Sequence, residues 1–282
     1  MPMELFDLII EQYGAIGGGP IGLSPLMSDP LADNIVIKRI KRILLSRYNF
    51  WPHMFTNAIG LSKLSEEEME TVASLKNINI SMGGPDRDAY KQMYNVDKYD
   101  SVVRGILSLH AAKQRINSEI KIAIHFRVID PERLRNSDLY RLFIDLGLEC
   151  RDISNSFSTF GGVVKQSDVP QGVNILTGQN SDVVIDCVIP HSEYTICPNG
   201  DVVACGCFDA HLTTVVGNLY NSSIVDIWKN KLYTDFRHGF SNKSVPDICL
   251  TCGNYIPLPS IFSNEGLTNY DPHGETFWHF LR

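Results

Sequence analysis

Of the seven cysteines in this 282-residue chain, none precedes Cys150. The amino-terminal half therefore offers no thiolate to a metal or a redox pair. Nowhere does the chain approach the ~20 consecutive apolar residues of a membrane span. Its first ten residues, MPMELFDLII, are acidic and amphipathic, without the basic-then-apolar order of a secretory signal. Positive charge is scarce too: 25 Lys and Arg against 32 Asp and Glu give a net charge of −7. Backbone-driven nucleic-acid binding needs clustered cations. The densest group here, Lys38-Arg39 with Lys41-Arg42, has the spacing of a solvated helix face. Neither a membrane nor a nucleic acid is therefore an expected partner. A G-x-S-x-G elbow, a P-loop and an H-E-x-x-H are all missing, and the eight histidines show no paired ligand spacing. His125 lies on a strand and reads as a core or surface residue. No residue is marked as catalytic by these patterns.

What is present divides the chain in two. Over about the first 155 residues, apolar strands alternate with amphipathic helices. Leu5, Phe6, Ile9, Ile10 and Tyr13 share one helical face. Strands are expected near 21–23, 54–55, 78–81, 121–128 and 150–154, with helices over 35–45, 65–75, 99–112 and 138–146. Ser65 with Glu68 three residues on is a capping-box signal. Such β-α alternation implies parallel strands joined by right-handed crossovers. A Gly-, Ser- and Gln-rich connection runs from Phe157 to Asn180, after which the alternation stops. Pro198-Asn199-Gly200-Asp201 then reads as a hairpin turn, and Ile224 to Phe236 as one helix. The expected domains are 1–170 and 171–282.

Four cysteines carry the chemistry of the second part. Cys187 and Cys205 bracket the hairpin, and Cys249 and Cys252 form a C-x-x-C. Soft thiolates at this spacing select an iron–sulfur cluster or zinc. An odd cysteine count with four at chelating spacing favours a metal in a reducing cytoplasm over a disulfide framework. Cys207 is a rival for Cys205. Cys150 and Cys197 read as packed thiols.

The same stretch resembles the SPASM domain, the auxiliary iron–sulfur domain of many radical S-adenosylmethionine enzymes. From Cys187 twelve residues lead to Gly200, and four more to Cys205, as in that family's Cys, Gly, four residues, Cys pattern. Ile196-Cys197-Pro198-Asn199-Gly200-Asp201-Val202 is similar to its hairpin. Val216-Gly217-Asn218-Leu219 through Trp228 is similar to its following turn and helix. The resemblance, over about 187–252, implies one 4Fe-4S cluster on Cys187, Cys205, Cys249 and Cys252, with no iron left open to substrate. No cysteine follows Cys252, so the form implied is the shortened twitch domain rather than the full one.

The first part resembles the radical S-adenosylmethionine core, a partial (β/α) barrel, here lacking its first strand. Ser28-Asp29-Pro30 stands where that family has Gly-Gly-Glu-Pro, and Thr56-Asn57-Ala58 where it has Thr-Asn-Gly. Ile80-Ser81-Met82-Gly83-Gly84-Pro85 is similar to Ile-Ser-Leu-Asp-Gly-Pro. The resemblance implies S-adenosylmethionine as cofactor, held by Ser28, Asp29, Asn57 and Ser81. Arg127, on the next strand, is placed either to supply a cation for the cofactor's carboxylate or to form a surface salt bridge. An arginine common in the family is Tyr94 here. The defining C-x-x-x-C-x-x-C is absent. Either the chain is a fragment whose start lies upstream, or it is a relative without radical chemistry. The fragment is preferred, because the rest of the core pattern is kept and a missing first strand exposes a sheet edge. The enzyme reading implies a peptide, protein or small-molecule substrate and a reducing electron donor. The alternatives are a non-catalytic cluster-bearing module and a structural zinc protein.

Overall fold

The computed structural model describes residues 1–24, 28–176, 187–193, 195–206, 209–242 and 244–253, with 152–154 described in backbone only. Cys207 and the aromatic tail at Phe277, Trp278 and Phe280, expected to dock on its own domain, lie outside the described residues. Two compact units emerge. One comprises Gly17–Ser156 and Ser167–Asn174. The other joins Met1–Ile16 to Phe157–Gln166 and Ile175–Arg282.

Helix α1 (Met3–Ala15) opens the chain and buries Leu5, Phe6, Ile9, Ile10 and Gly14. The unit beginning at Gly17 contains β1 (Gly19–Gly22), α2 (Val36–Leu44), β2 (Phe50–Thr56), α3 (Glu66–Ala73) and β3 (Asn77–Met82). It continues with α4 (Arg87–Tyr94), α5 (Tyr99–Arg115), β4 (Lys121–Arg127), α6 (Pro131–Arg135), α7 (Asp138–Asp145) and β5 (Glu149–Ser154). The five strands form one sheet in the order β1-β2-β3-β4-β5, every pairing parallel. This is the expected α/β class, a run of β-α units winding in one direction.

Strand alternation decides which face carries what. Met54, Ile78, Ile80, Ile122, Ile124 and Phe126 pack with helix residues such as Ile40, Val72, Ile106 and Phe143 in one core. At about 1.5–3 kcal/mol for each fully buried side chain, this core dominates the unit's stability. The opposite face carries Phe55, Asn79, Ser81 and His125. Ser65 caps α3 as its spacing predicts: its hydroxyl accepts from Glu68 N, and Glu68 Oε2 accepts from Ser65 N at 2.9 Å.

In the other unit, β8 (Thr195–Ile196), β9 (Asp201–Val203) and β10 (Val215–Asn218) form an antiparallel sheet in the order β10-β9-β8. Before it the chain forms a two-stranded ribbon, β6 (Ser156–Ser158) with β7 (Asn174–Leu176), and the short helix α8 (Ile189–Ser192). After it come α9 (Ile224–Lys229), α10 (Lys231–Ser241) and α11 (Asp247–Leu250).

The helix expected over 224–236 is thus two helices. Asn230 ends the first and caps the second, accepting from Tyr233 N at 2.7 Å while its amide donates to Val216 O at 2.7 Å. Leu5 and Ile9 of α1 share a core with Val202, Ala204, Val216, Leu219, Ile224, Ile227 and Tyr233. Gln12 Oε1 accepts from Ile224 N at 2.7 Å. Sequence order placed α1 with the strands that follow it; its apolar face and Gln12 tie it to the carboxy-terminal residues instead.

Candidate cofactor and metal sites

Two groups of residues follow from this architecture, one in each unit. The first lies at the carboxyl ends of the parallel strands, where folds of this kind gather their chemistry. Asp29, just beyond β1, reaches the end of β2. Its carboxylate accepts from Thr56 Oγ1 at 2.8 Å, from Asn57 N at 2.6 Å and from Leu31 N at 2.9 Å. These bonds commit Asp29 to fixing the turn rather than to offering a free carboxylate. Asn57 Oδ1 in turn accepts from Ile59 N at 3.0 Å. Ser28 is exposed beside this latch. Ser81 is half-buried near the end of β3, in register with His125.

Arg127, the last residue of β4, lies beside Tyr94. Burial pushes the Tyr94 hydroxyl up, and the Arg127 guanidinium partly offsets that rise. The arginine missing at position 94 is thus replaced by a tyrosine ring packed against Gly83, with a cation supplied from the neighbouring strand. Inside the same face His125 Nε2 lies 2.9 Å from Asn79 Oδ1, and Phe55 packs on the His125 ring. Asn79 is 3% exposed, and among the described residues its Nδ2 has no hydrogen-bond partner. The signal for this pair was the alternation of polar with apolar residues along β3 and β4, which marks a polar face without naming the partners on it.

The second group is built from cysteines. The hairpin between β8 and β9 closes with Gly200 N donating to Cys197 O at 2.9 Å and Cys197 N to Asp201 O at 2.7 Å. Gly200 has φ +87°, and a Cβ there would fall 2.7 Å from the Tyr220 ring, so only glycine serves. Cys205 follows β9. Its neighbour Gly206 also has no alternative, because a Cβ would meet Thr195 Oγ1 at 1.5 Å. Cys187 lies two residues before α8, and Cys249 lies on α11 with Cys252 just past its end.

These elements bring the thiols together. Buried Cys187, Val188, Ile189 and Phe240 form a cluster against which Cys205, Cys249, Phe236 and Val245 pack. Burial pushes the Cys249 thiol up to about 12, and the charges of Cys187, Cys252 and Asp209 add to the rise. Cys252 lies just past the end of α11, three positions from Cys249 and outside the members of that cluster. Cys197 is 5% exposed and packs at the hairpin mouth, and its thiol too is raised by burial. Cys150 packs against the core of the parallel-sheet unit, where burial raises it to about 11.

Four thiols in an apolar wall are the donor set of an iron–sulfur cubane, so the residues fit that group. Among the described residues, no three His, Cys, Asp or Glu side chains close on one point as ligands of a single ion would. Four thiolates are equally a donor set for zinc.

Comparison with known proteins agrees with this geometry. Residues 187–253 match the SPASM family, an iron-sulfur cluster-binding domain. Among solved structures, the chain is similar to the anSMEcpe protein with bound AdoMet, at 11% identity and a TM-score of 0.54 over 90% of this chain and 79% of that one. It is also similar to BtrN in an open conformation, at 16% identity and a TM-score of 0.50 over 96% and 86%. BtrN in complex with AdoMet and 2-DOIA gives 19% identity and 0.50 over 90% and 80%. No curated protein sequence matches the chain. The chain shares the fold of these neighbours, two of them with AdoMet bound, and its residues 187–253 match an iron–sulfur domain. Among the described residues, no helix is long and apolar enough to cross a membrane.

Proposed function

We propose that this chain is the cofactor-holding body and auxiliary-cluster domain of a radical S-adenosylmethionine enzyme that modifies a peptide, a protein or a small molecule. The observation that carries the reading is the packing of Cys187, Cys205 and Cys249 in one apolar cluster, with Cys252 three positions beyond Cys249, within the stretch that matches an iron–sulfur domain. When bound, a 4Fe-4S cluster supplies one-electron transfer.

The chain's own residues do the rest. The four thiols give up their protons on loading, and Val188, Ile189 and Phe240 keep water from the sulfurs. Four cysteines leave no iron open, which suits an electron-transfer or supporting role rather than direct ligation of substrate. At the strand ends, Asp29 fixes the turn so that the Ser28 carbonyl accepts from the cofactor's ammonium. Asn57 and Ser81 offer hydrogen bonds to its polar tail, and Arg127 pairs with its carboxylate. AdoMet bound to structural neighbours at this fold supports the assignment. The partners implied are the substrate and a reducing electron donor, in a reducing cytoplasm.

Anaerobic reconstitution and calorimetric titration test both halves. A brown protein with iron and sulfide in equal amounts is expected, and it should bind S-adenosylhomocysteine, an affinity that Arg127→Met lowers at least tenfold. A colourless protein with stoichiometric zinc would remove the cluster half. Equal affinity in the Arg127 variant would remove the cofactor assignment at that residue.

A further inference from the structure

Asp209 lies in the excursion between β9 and β10, four positions after Cys205, and is 0% exposed. Its Oδ1 accepts from Thr213 N at 2.8 Å and Thr213 Oγ1 at 3.0 Å. Its Oδ2 accepts from Thr214 N and Thr214 Oγ1, both at 2.7 Å. All four donors are neutral. No ion pair among the described residues includes it.

Burying an ionised carboxylate without a cation is costly, and neutral hydrogen bonds compensate only part of the cost. A charge held there acts strongly on any neighbour in the same apolar surround, because the local dielectric is low. Thr214 O accepts from Ala204 N at 3.0 Å, so the carboxylate is anchored to the backbone next to Cys205.

We propose that Asp209 is a positioning charge that lowers the reduction potential of the cluster held by Cys187, Cys205, Cys249 and Cys252. The proposal rests on the cluster reading above. An electron added beside a fixed negative charge in an apolar surround is repelled, so the reduced cluster is disfavoured and becomes the stronger donor. Asp209 is not itself a ligand, since both its oxygens are taken up by Thr213 and Thr214.

The test is a redox titration of the anaerobically reconstituted chain, followed by electron paramagnetic resonance, with iron and sulfide measured in every preparation. Asp209→Asn removes the charge and should shift the midpoint upward. Asp209→Glu keeps the charge and should restore most of the original value. An unchanged midpoint in fully loaded Asp209→Asn would overturn the proposal. So would failure of both variants to load iron, which would leave Asp209 only holding the Cys205 turn. A wild-type chain that takes up no cluster would instead sink the reading on which the proposal rests, and the two failures are thereby distinct.

Discussion

Replacing Leu5 by Ala should destabilise the carboxy-terminal unit and leave the parallel sheet untouched. Leu5 is 0% exposed and packs with Ile9, Val202, Val216, Ile227 and Tyr233. Truncating a fully buried leucine costs about 2–5 kcal/mol, depending on how far the site collapses. The partners here are β-branched or aromatic side chains held by a hairpin and two helices, which limits collapse, so we take about 3 kcal/mol. For a small core that is a large share of a domain stability of about 5–15 kcal/mol. At ~1.4 kcal/mol per tenfold, it should speed amide exchange by on the order of a hundredfold. Segment-resolved hydrogen exchange reads this directly. Amides of β9, β10, α9 and α10 should lose protection, and those of β2, β3 and β4 should not. Faster exchange in β2–β4 with an unchanged hairpin would refute the placement of α1.

Asp29→Ala deprives Thr56 Oγ1, Asn57 N and Leu31 N of their acceptor. It should cost about 2–4 kcal/mol in thermal or chemical melting and weaken S-adenosylhomocysteine binding. A variant that melts as the wild type does would show the latch to be dispensable. Cys249 sets a pH dependence. Its thiol stands at about 12 in the folded chain against an ordinary 9.0, so the metal-free fold holds this proton more tightly than the unfolded chain does. That contribution to stability is complete below pH 9.0 and is lost as pH rises towards about 12. Metal uptake must displace the proton, so cadmium or iron loading should release protons and strengthen as pH rises. Loading with no proton release would contradict the burial of that thiol.

Several features were legible because they are local. The β-α alternation, the Ser65–Glu68 cap and the Asn199-Gly200 turn each depend on residues within a few positions of one another. The cysteines were legible because chelation restricts residue type and spacing together. What escaped depends on partners far along the chain. The face of α1 is read correctly from its periodicity, yet periodicity does not name the surface it meets, more than 190 residues on. The break at Asn230 needs Val216 O as a partner for its amide. Strand β10 and the β6–β7 ribbon are too short for their own pattern to stand out. Asp29 looks like a cofactor acid until Thr56 and Asn57 are seen to occupy it. Asp209 is one acidic residue among 32 Asp and Glu, and only its burial distinguishes it.

Iron content after anaerobic reconstitution, compared between the wild type, Cys207→Ala and Cys249→Ala, probes the four-thiolate site most directly. One 4Fe-4S cluster per chain is expected in the first two. In Cys249→Ala we expect its loss, with exchange protection falling across β8–β10. Full iron and an unaltered melting transition in Cys249→Ala would contradict the assignment.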